Sequence, residues 1–165
     1  MSEYHFRPMT RVDYPMFKDW LAQPHIEGWW GEGDAELRLI DSEMGRPETA
    51  PDYVDMLIVE HGDTPFAFIQ DYNAHAFGAP HYVGYPDDSR AIDTFLGDPA
   101  FLGQGHGAGY IAARVADLRK TYPMVIVDPD IKNTRAIAAY ARAGFRKDKT
   151  APCEDGTPVQ IMTHN

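Results

Sequence analysis

Gly103, Gly105, Gly107 and Gly109 alternate through a short stretch that runs straight into the apolar sequence Tyr110-Ile111-Ala112-Ala113-Arg114-Val115. Glycine takes φ > 0 at little cost, so such a turn can aim backbone N–H groups at an anion, and the positive end of the helix behind it adds to the attraction. The chemistry this predicts is phosphate binding, with residues 102–108 as the cradle and Gly107 among the positions expected at φ > 0. A triphosphate loop would close on Lys and a hydroxyl residue, and neither is present. The dinucleotide pattern G-x-G-x-x-G fits poorly because the third glycine comes too early. No acidic residue closes a second parallel strand about 20 positions on, as ribose binding requires. Taken alone, the loop reads equally as a glycine-rich connection.

The residues that follow decide between these readings. Met124-Val125-Ile126-Val127 is a buried-strand run ending in Asp128-Pro129, and Asn133 opens the pattern N-x-R-A-I-x-x-Y-x-x-A-G-F through Phe145. Ala136, Ala139, Tyr140 and Ala143 fall on one helical face, and Gly144 suits the position that ends the helix. Such a face could also be a small-residue packing seam. The loop and this helix together resemble the GNAT superfamily of N-acetyltransferases, whose loop pattern is (Q/R)-x-x-G-x-(G/A). Leu102 stands at the first place, where the family has Gln or Arg, which removes one side-chain donor and leaves the backbone amides. The resemblance implies acetyl-CoA as cosubstrate. It places Phe95, Leu96, Leu102, Gly103, Gln104, Gly105, His106, Gly107, Ala108, Asn133, Ala136 and Tyr140 at the cofactor, with backbone N–H groups of the strand 91–96 polarising the thioester carbonyl.

Upstream, His25-Ile26-Glu27-Gly28-Trp29-Trp30-Gly31 is similar to the H-I-x-x-W-W-G segment of aminoglycoside 6'-N-acetyltransferases. The similarity continues at Ser89-Arg90-Ala91-Ile92-Asp93 and Asp128-Pro129. Adjacent tryptophans cannot share one face of an element, so one of Trp29 and Trp30 borders a cavity or the surface, where its ring can meet a cation or a sugar face. Both could instead staple the core. Asp93 lies mid-strand among Ile92, Thr94, Phe95 and Leu96, where a charge is costly unless it meets a cleft or a partner. The resemblance makes it the group that contacts the amine and takes its proton, directly or through water. Asp128 is the second carboxylate expected at the acceptor, although a residue before proline also suits loop capping. Tyr140 is the expected acid for the departing thiolate. The seven histidines, His5, His25, His61, His75, His81, His106 and His164, show no ligand spacing and read as scattered surface imidazoles, so no metal is expected.

Elements to position these residues follow from pattern. Residues 4–9 read as a strand, Thr10 as a cap leading to a helix with Met16, Phe17, Trp20 and Leu21 on one face, and 34–44 as a second helix. Residues 54–60 and 65–72 form a hairpin, 73–90 a long loop, and 91–96 a strand. The phosphate helix, the strand 124–127, the last helix and closing strands at 146–150 and 159–164 complete the order β-α-α-β-β-β-α-β-α-β-β. That order is the GNAT fold, an α/β (α+β) architecture. It is a mixed, mostly antiparallel sheet of six to seven strands, split by the CoA site and flanked by about four helices.

With 165 residues and 44% hydrophobic content the chain reads as a single acetyltransferase domain over 1–165. A net charge of −10 repels phosphate backbones, so a small cationic amine is the expected partner and nucleic acid is not. No run is long enough to span a bilayer, and residues 1–7 lack the apolar stretch of a secretory signal, so a cytoplasmic monomer or homodimer is expected. Cys153, the single cysteine, stands beside acidic residues that disfavour thiolate and reads as a bystander. The expected reaction is direct acetyl transfer to the 6'-amine of an aminoglycoside or a similar cationic amine. The alternatives are a hydroxylamine N-acetyltransferase of siderophore assembly, or an acetyl-CoA-binding module without catalysis.

Overall fold

The computed structural model describes residues 3–165; Met1 and Ser2, part of the stretch examined for a signal, lie outside them. The chain forms two compact units, one of residues up to Gln70 with Thr94–His106, the other of Asp71–Asp93 with Gly107–Asn165.

In the first unit, β1 (Tyr4–Pro8) runs antiparallel to β2 (Val54–His61), pairing Tyr4 with His61 and Pro8 with Leu57. Gly62, at φ +60°, turns β2 into β3 (Thr64–Asn73), where an L side chain would be strained. Between β1 and β2 lie α1 (Tyr14–Leu21) and α2 (Gly33–Met44). Asp13 closes the short turn that leads into α1: its carboxylate accepts from Thr10 N at 2.9 Å and from both terminal nitrogens of Arg7 at 2.9 and 2.8 Å. Phe17, Trp20 and Leu21 recur at i, i+3 and i+4 and turn inward, so that Phe17 meets Phe68 edge-on at 4.9 Å between ring centroids.

The second unit holds most of β4 (Arg90–Leu96), then α3 (His106–Leu118), β5 (Val125–Val127), α4 (Thr134–Arg142), β6 (Arg146–Pro152) and β7 (Pro158–His164). α4 ends as its sequence predicts. Gly144 adopts φ +103°, Phe145 N bonds to Tyr140 O at 3.0 Å and Gly144 N to Ala141 O at 3.1 Å, the paired bonds of a Schellman cap. The strands follow the order β1-β2-β3-β4-β5-β7-β6. β4 and β5 are parallel, whereas β5 with β7 and β6 with β7 are antiparallel. β6, at the edge, reads Arg-Lys-Asp-Lys and is exposed, the charged edge that resists pairing with another chain.

Every expected strand and helix is present, which makes this the mixed seven-stranded sheet with four α-helices among the described residues. The pattern missed three 3-10 turns at Arg11–Asp13, Pro80–Tyr82 and Pro99–Phe101, each too short to show a period.

Gly97 is a close approach and not a flexible joint, because a Cβ there would run into the Trp20 indole. Gly97→Ala is expected to destabilise the protein by about 1–3 kcal/mol through overpacking. A urea titration followed by tryptophan fluorescence reads this directly; an unchanged midpoint would show that Trp20 yields at no cost.

Candidate active site

The phosphate loop is built by capping and by two glycines. Asp98 Oδ1 accepts from Ala100 N at 2.9 Å, starting the turn Pro99–Phe101, and Gln104 Nε2 donates back to Ala100 O at 2.7 Å. Gly103 and Gly105 adopt φ +73° and +82°, with open space where a Cβ would stand. α3 begins at His106, and the N–H groups of a helix's first turn have no partners within the helix. One expectation is corrected here. Gly107 lies inside that first turn and not at φ > 0, so the conformational demand falls on Gly103 and Gly105, and Gly107 contributes only openness.

His106 is not a surface imidazole. Its Nδ1 lies 3.0 Å from the Tyr4 hydroxyl, and its ring packs against Phe101 and Phe66 at 5.2 and 5.6 Å. Phe95 is also a core ring, meeting Trp30 at 4.8 Å and Phe17 at 5.4 Å, so only its backbone is available to a ligand. The Leu96 carbonyl accepts from His25 Nε2 at 2.7 Å, which ties the His-Ile-x-x-Trp-Trp segment to the end of β4. Trp30 is half-buried on Phe95 and Phe68, the stapling alternative, while Trp29 is 46% exposed.

Within the second unit, β4 and β5 pair only through Arg90 with Val125 and Ala91 with Ile126. Asp93 stands just past that last pair, on the same face as Ala91 by strand alternation. It is half-buried, and its charge bears on the buried Tyr72 phenol. Asp128 follows β5 directly, and its Oδ2 accepts from His81 Nε2 at 2.7 Å. Loop capping is therefore not its role; the neighbouring Asp130 does that, accepting from Lys132 N at 2.8 Å. His81 was read as a surface imidazole and is instead buried, 5% exposed. Pro80, starting the turn that seats it, was the only trace of this in the sequence.

Tyr140 lies buried on α4 with its ring 5.6 Å from Phe145. Burial first, then Tyr110 and the charges of Asp93 and Asp128, push its phenol well above the ordinary value of 10, so it holds its proton throughout the neutral range. Tyr72 is raised likewise, by burial and then by Asp93 and Asp128. The structure thus brings Asp93, Asp128 and Tyr140 into one electrostatic group and adds Tyr72 and His81. Asn133 caps α4, its Oδ1 accepting from Ala136 N at 3.2 Å. Cys153 is pushed up by burial and by its hydrogen bond to Asp155, which disfavours thiolate as expected. Among the described residues no group of three or more His, Cys, Asp or Glu is placed to hold a metal ion, and no helix is long and apolar enough to cross a membrane.

The sequence pattern missed Asp71, whose side chain is 1% exposed and accepts from Arg90 Nε at 2.8 Å and from Arg114 Nε and a terminal nitrogen at 3.0 and 2.6 Å. It joins the end of β3, the start of β4 and α3, one residue before Tyr72.

Within the second unit, then, β4 and β5 part early, with the Asp93 carboxylate just past the last pair and the protonated Tyr140 phenol under its influence. The chain belongs to the acetyltransferase (GNAT) domain family, which matches residues 10–152, and is an acetyl-CoA-dependent N-acetyltransferase. It is 33% identical to the aminoglycoside N(6')-acetyltransferase type 1 of Klebsiella pneumoniae, over 94% of this chain and 80% of that protein. The structure of AAC(6')-Ib with paromomycin and acetyl-CoA superposes with a TM-score of 0.83 at 30% identity, covering 100% of this chain and 94% of that one. The same enzyme with ribostamycin and coenzyme A gives a TM-score of 0.84 at 30% identity, with the same coverage.

The Asp71 cluster yields a stability prediction. Asp71→Asn leaves two half-buried guanidiniums without their counter-charge and should cost about 3–5 kcal/mol, whereas Asp117→Asn at the exposed end of α3 should cost about 0–1 kcal/mol. Chemical denaturation of both variants checks this. Equal small losses would mean that the guanidiniums find other partners.

Proposed function

We propose that this enzyme transfers the acetyl group of acetyl-CoA to the 6'-amine of an aminoglycoside, by direct attack of the amine on the thioester. The observation that carries the reading is the pair of carboxylates, Asp93 and Asp128, grouped with the protonated phenol of Tyr140 where β4 and β5 part. Acetyl-CoA supplies the activated acyl group. The chain's residues bind, orient and move the protons.

Backbone N–H groups of residues 102–108 receive the pyrophosphate, Leu102 adding no polar side chain, and Asn133 and Ala136 at the start of α4 line the pantetheine arm. Backbone amides at Phe95 and Leu96 polarise the thioester carbonyl. Asp93 and Asp128 attract the ammonium. An ammonium has no lone pair, so it must lose a proton before attack, and Asp93 accepts it directly or through water. Tyr140 returns a proton to the departing thiolate. Trp29 offers the acceptor an exposed aromatic face, with Trp30 holding the segment from beneath.

Two carboxylates favour a polycationic acceptor over the less basic hydroxylamine, and Asp93 with Tyr140 argues against a module that only binds acetyl-CoA. The acidic charge supports a small cation over nucleic acid as partner. Residues 1–165 act as one acetyltransferase domain, a reading supported by a family match that runs through both units, and the enzyme works in the cytoplasm as a monomer or homodimer.

Steady-state kinetics with acetyl-CoA and an aminoglycoside bearing a 6'-amine test the roles. Tyr140→Phe keeps the ring but removes the proton, and turnover should fall about 10²-fold or more with acetyl-CoA affinity kept. Asp93→Asn should lower turnover, and Asp128→Asn should raise the acceptor KM with turnover nearly kept. Wild-type turnover in the Phe variant would return Tyr140 to a packing role.

A further inference from the structure

The connection between β3 and β4 seats one buried imidazole that the transfer chemistry above leaves unused. The His81 side chain is 1% exposed, while Asp128, to which it donates, is 26% exposed. The other ring nitrogen, Nδ1, is buried without a hydrogen-bond partner. An imidazole so placed carries its proton on Nε2 when neutral, because that tautomer satisfies the donor. A second proton on Nδ1 would be a buried N–H with nothing to receive it. Neutral His81 thus occupies Oδ2 of Asp128, preserves the full carboxylate charge and leaves Oδ1 open.

We propose that His81 is a positioning residue for the acceptor: it holds Asp128 with one oxygen free for a cationic amine, and its protonation cancels the charge that attracts that amine. The inference rests on the reading of Asp128 as an acceptor-binding carboxylate. The groups that bear on the imidazole are Asp128 after β5, Asp93 on β4 and Glu154 between β6 and β7, all negative, with the Tyr82 ring packed against it at 4.2 Å. Tyr72 on β3 faces the same carboxylates and stays neutral. The hydrogen bond to Asp128, with the surrounding negative charge, pushes His81 up from its ordinary 6.5. A proton on His81 and an ammonium at Asp128 compete for the same charge, so each weakens the other. Acceptor binding is lost as pH falls through the His81 pKa and is fully present above it.

Three variants separate the possibilities when acceptor and acetyl-CoA KM and kcat are measured from about pH 5.5 to about 9. His81→Gln keeps a neutral donor that cannot titrate. It should retain the wild-type acceptor KM at high pH and abolish the acid-side step in acceptor kcat/KM. His81→Leu removes the donor and should raise acceptor KM on the order of tenfold at high pH, with acetyl-CoA KM unchanged. An acid-side step that survives in His81→Gln, or an unchanged acceptor KM in His81→Leu, overturns the proposal. Asp128→Asn tests the reading beneath: an unchanged acceptor KM there removes that reading and this inference with it. A raised KM there, with wild-type behaviour at both His81 variants, defeats this inference alone. Should the His81 variants fail to fold, imidazole NMR on the wild-type protein decides. Saturating aminoglycoside should lower the His81 pKa, and an unmoved pKa overturns the proposal.

Discussion

A single buried carboxylate, Asp71, is the constraint on which the chemistry of this enzyme depends. Its two oxygens take Arg90 from the first residue of β4 and Arg114 from α3, and the Arg90 guanidinium also lies over the Tyr122 ring at 5.0 Å. Charges this buried are tolerated only when paired in good geometry, and here the pairing fixes where β4 begins. From that origin the alternation of the strand sets the rest: Ala91 packs into the core beside Tyr82 and Ile126, and Asp93 comes two residues later, beyond the last pair with β5. Tyr72, next to Asp71 in sequence, then lies under the influence of the Asp93 charge.

Placement and protonation are in this way set by the same burial. The apolar packing that seats Tyr140 on α4 also desolvates it, and the two nearby carboxylates add a second reason for the phenol to keep its proton. A phenol that keeps its proton at neutral pH therefore shares its unit with the carboxylates that help hold that proton on, a state set by environment and not by residue type. The loop before α3 works on the opposite logic. Gly103 and Gly105 stand in open space at φ +73° and +82°, so there the backbone conformation and not packing calls for glycine.

Elements with a strong period were legible in the sequence, as were positions where the backbone or burial restricts the residue type. The glycine turn, the Gly144 stop and the mid-strand Asp93 all announce themselves because local backbone geometry or desolvation permits few alternatives there. The residues that were missed are polar groups whose partners lie far away in sequence. His81 meets Asp128 47 positions on, and Asp71 meets Arg114 43 positions on, and neither spacing leaves a local trace. Gly107 shows the converse error. A glycine in a glycine-rich run was read as conformational, whereas the helix had already begun one residue earlier.

In the proposed reaction the amine itself attacks the thioester where the two strands part, with no acyl group resting on the protein. The most direct measurement is the fate of the label from acetyl-CoA carrying a ¹³C carbonyl, followed by two-dimensional NMR of the aminoglycoside and intact mass of the enzyme. Direct transfer should give one labelled amide, correlated to the protons at C6', and an enzyme of unchanged mass. Label on another amine, or an acetylated protein competent to pass the group on, would contradict it.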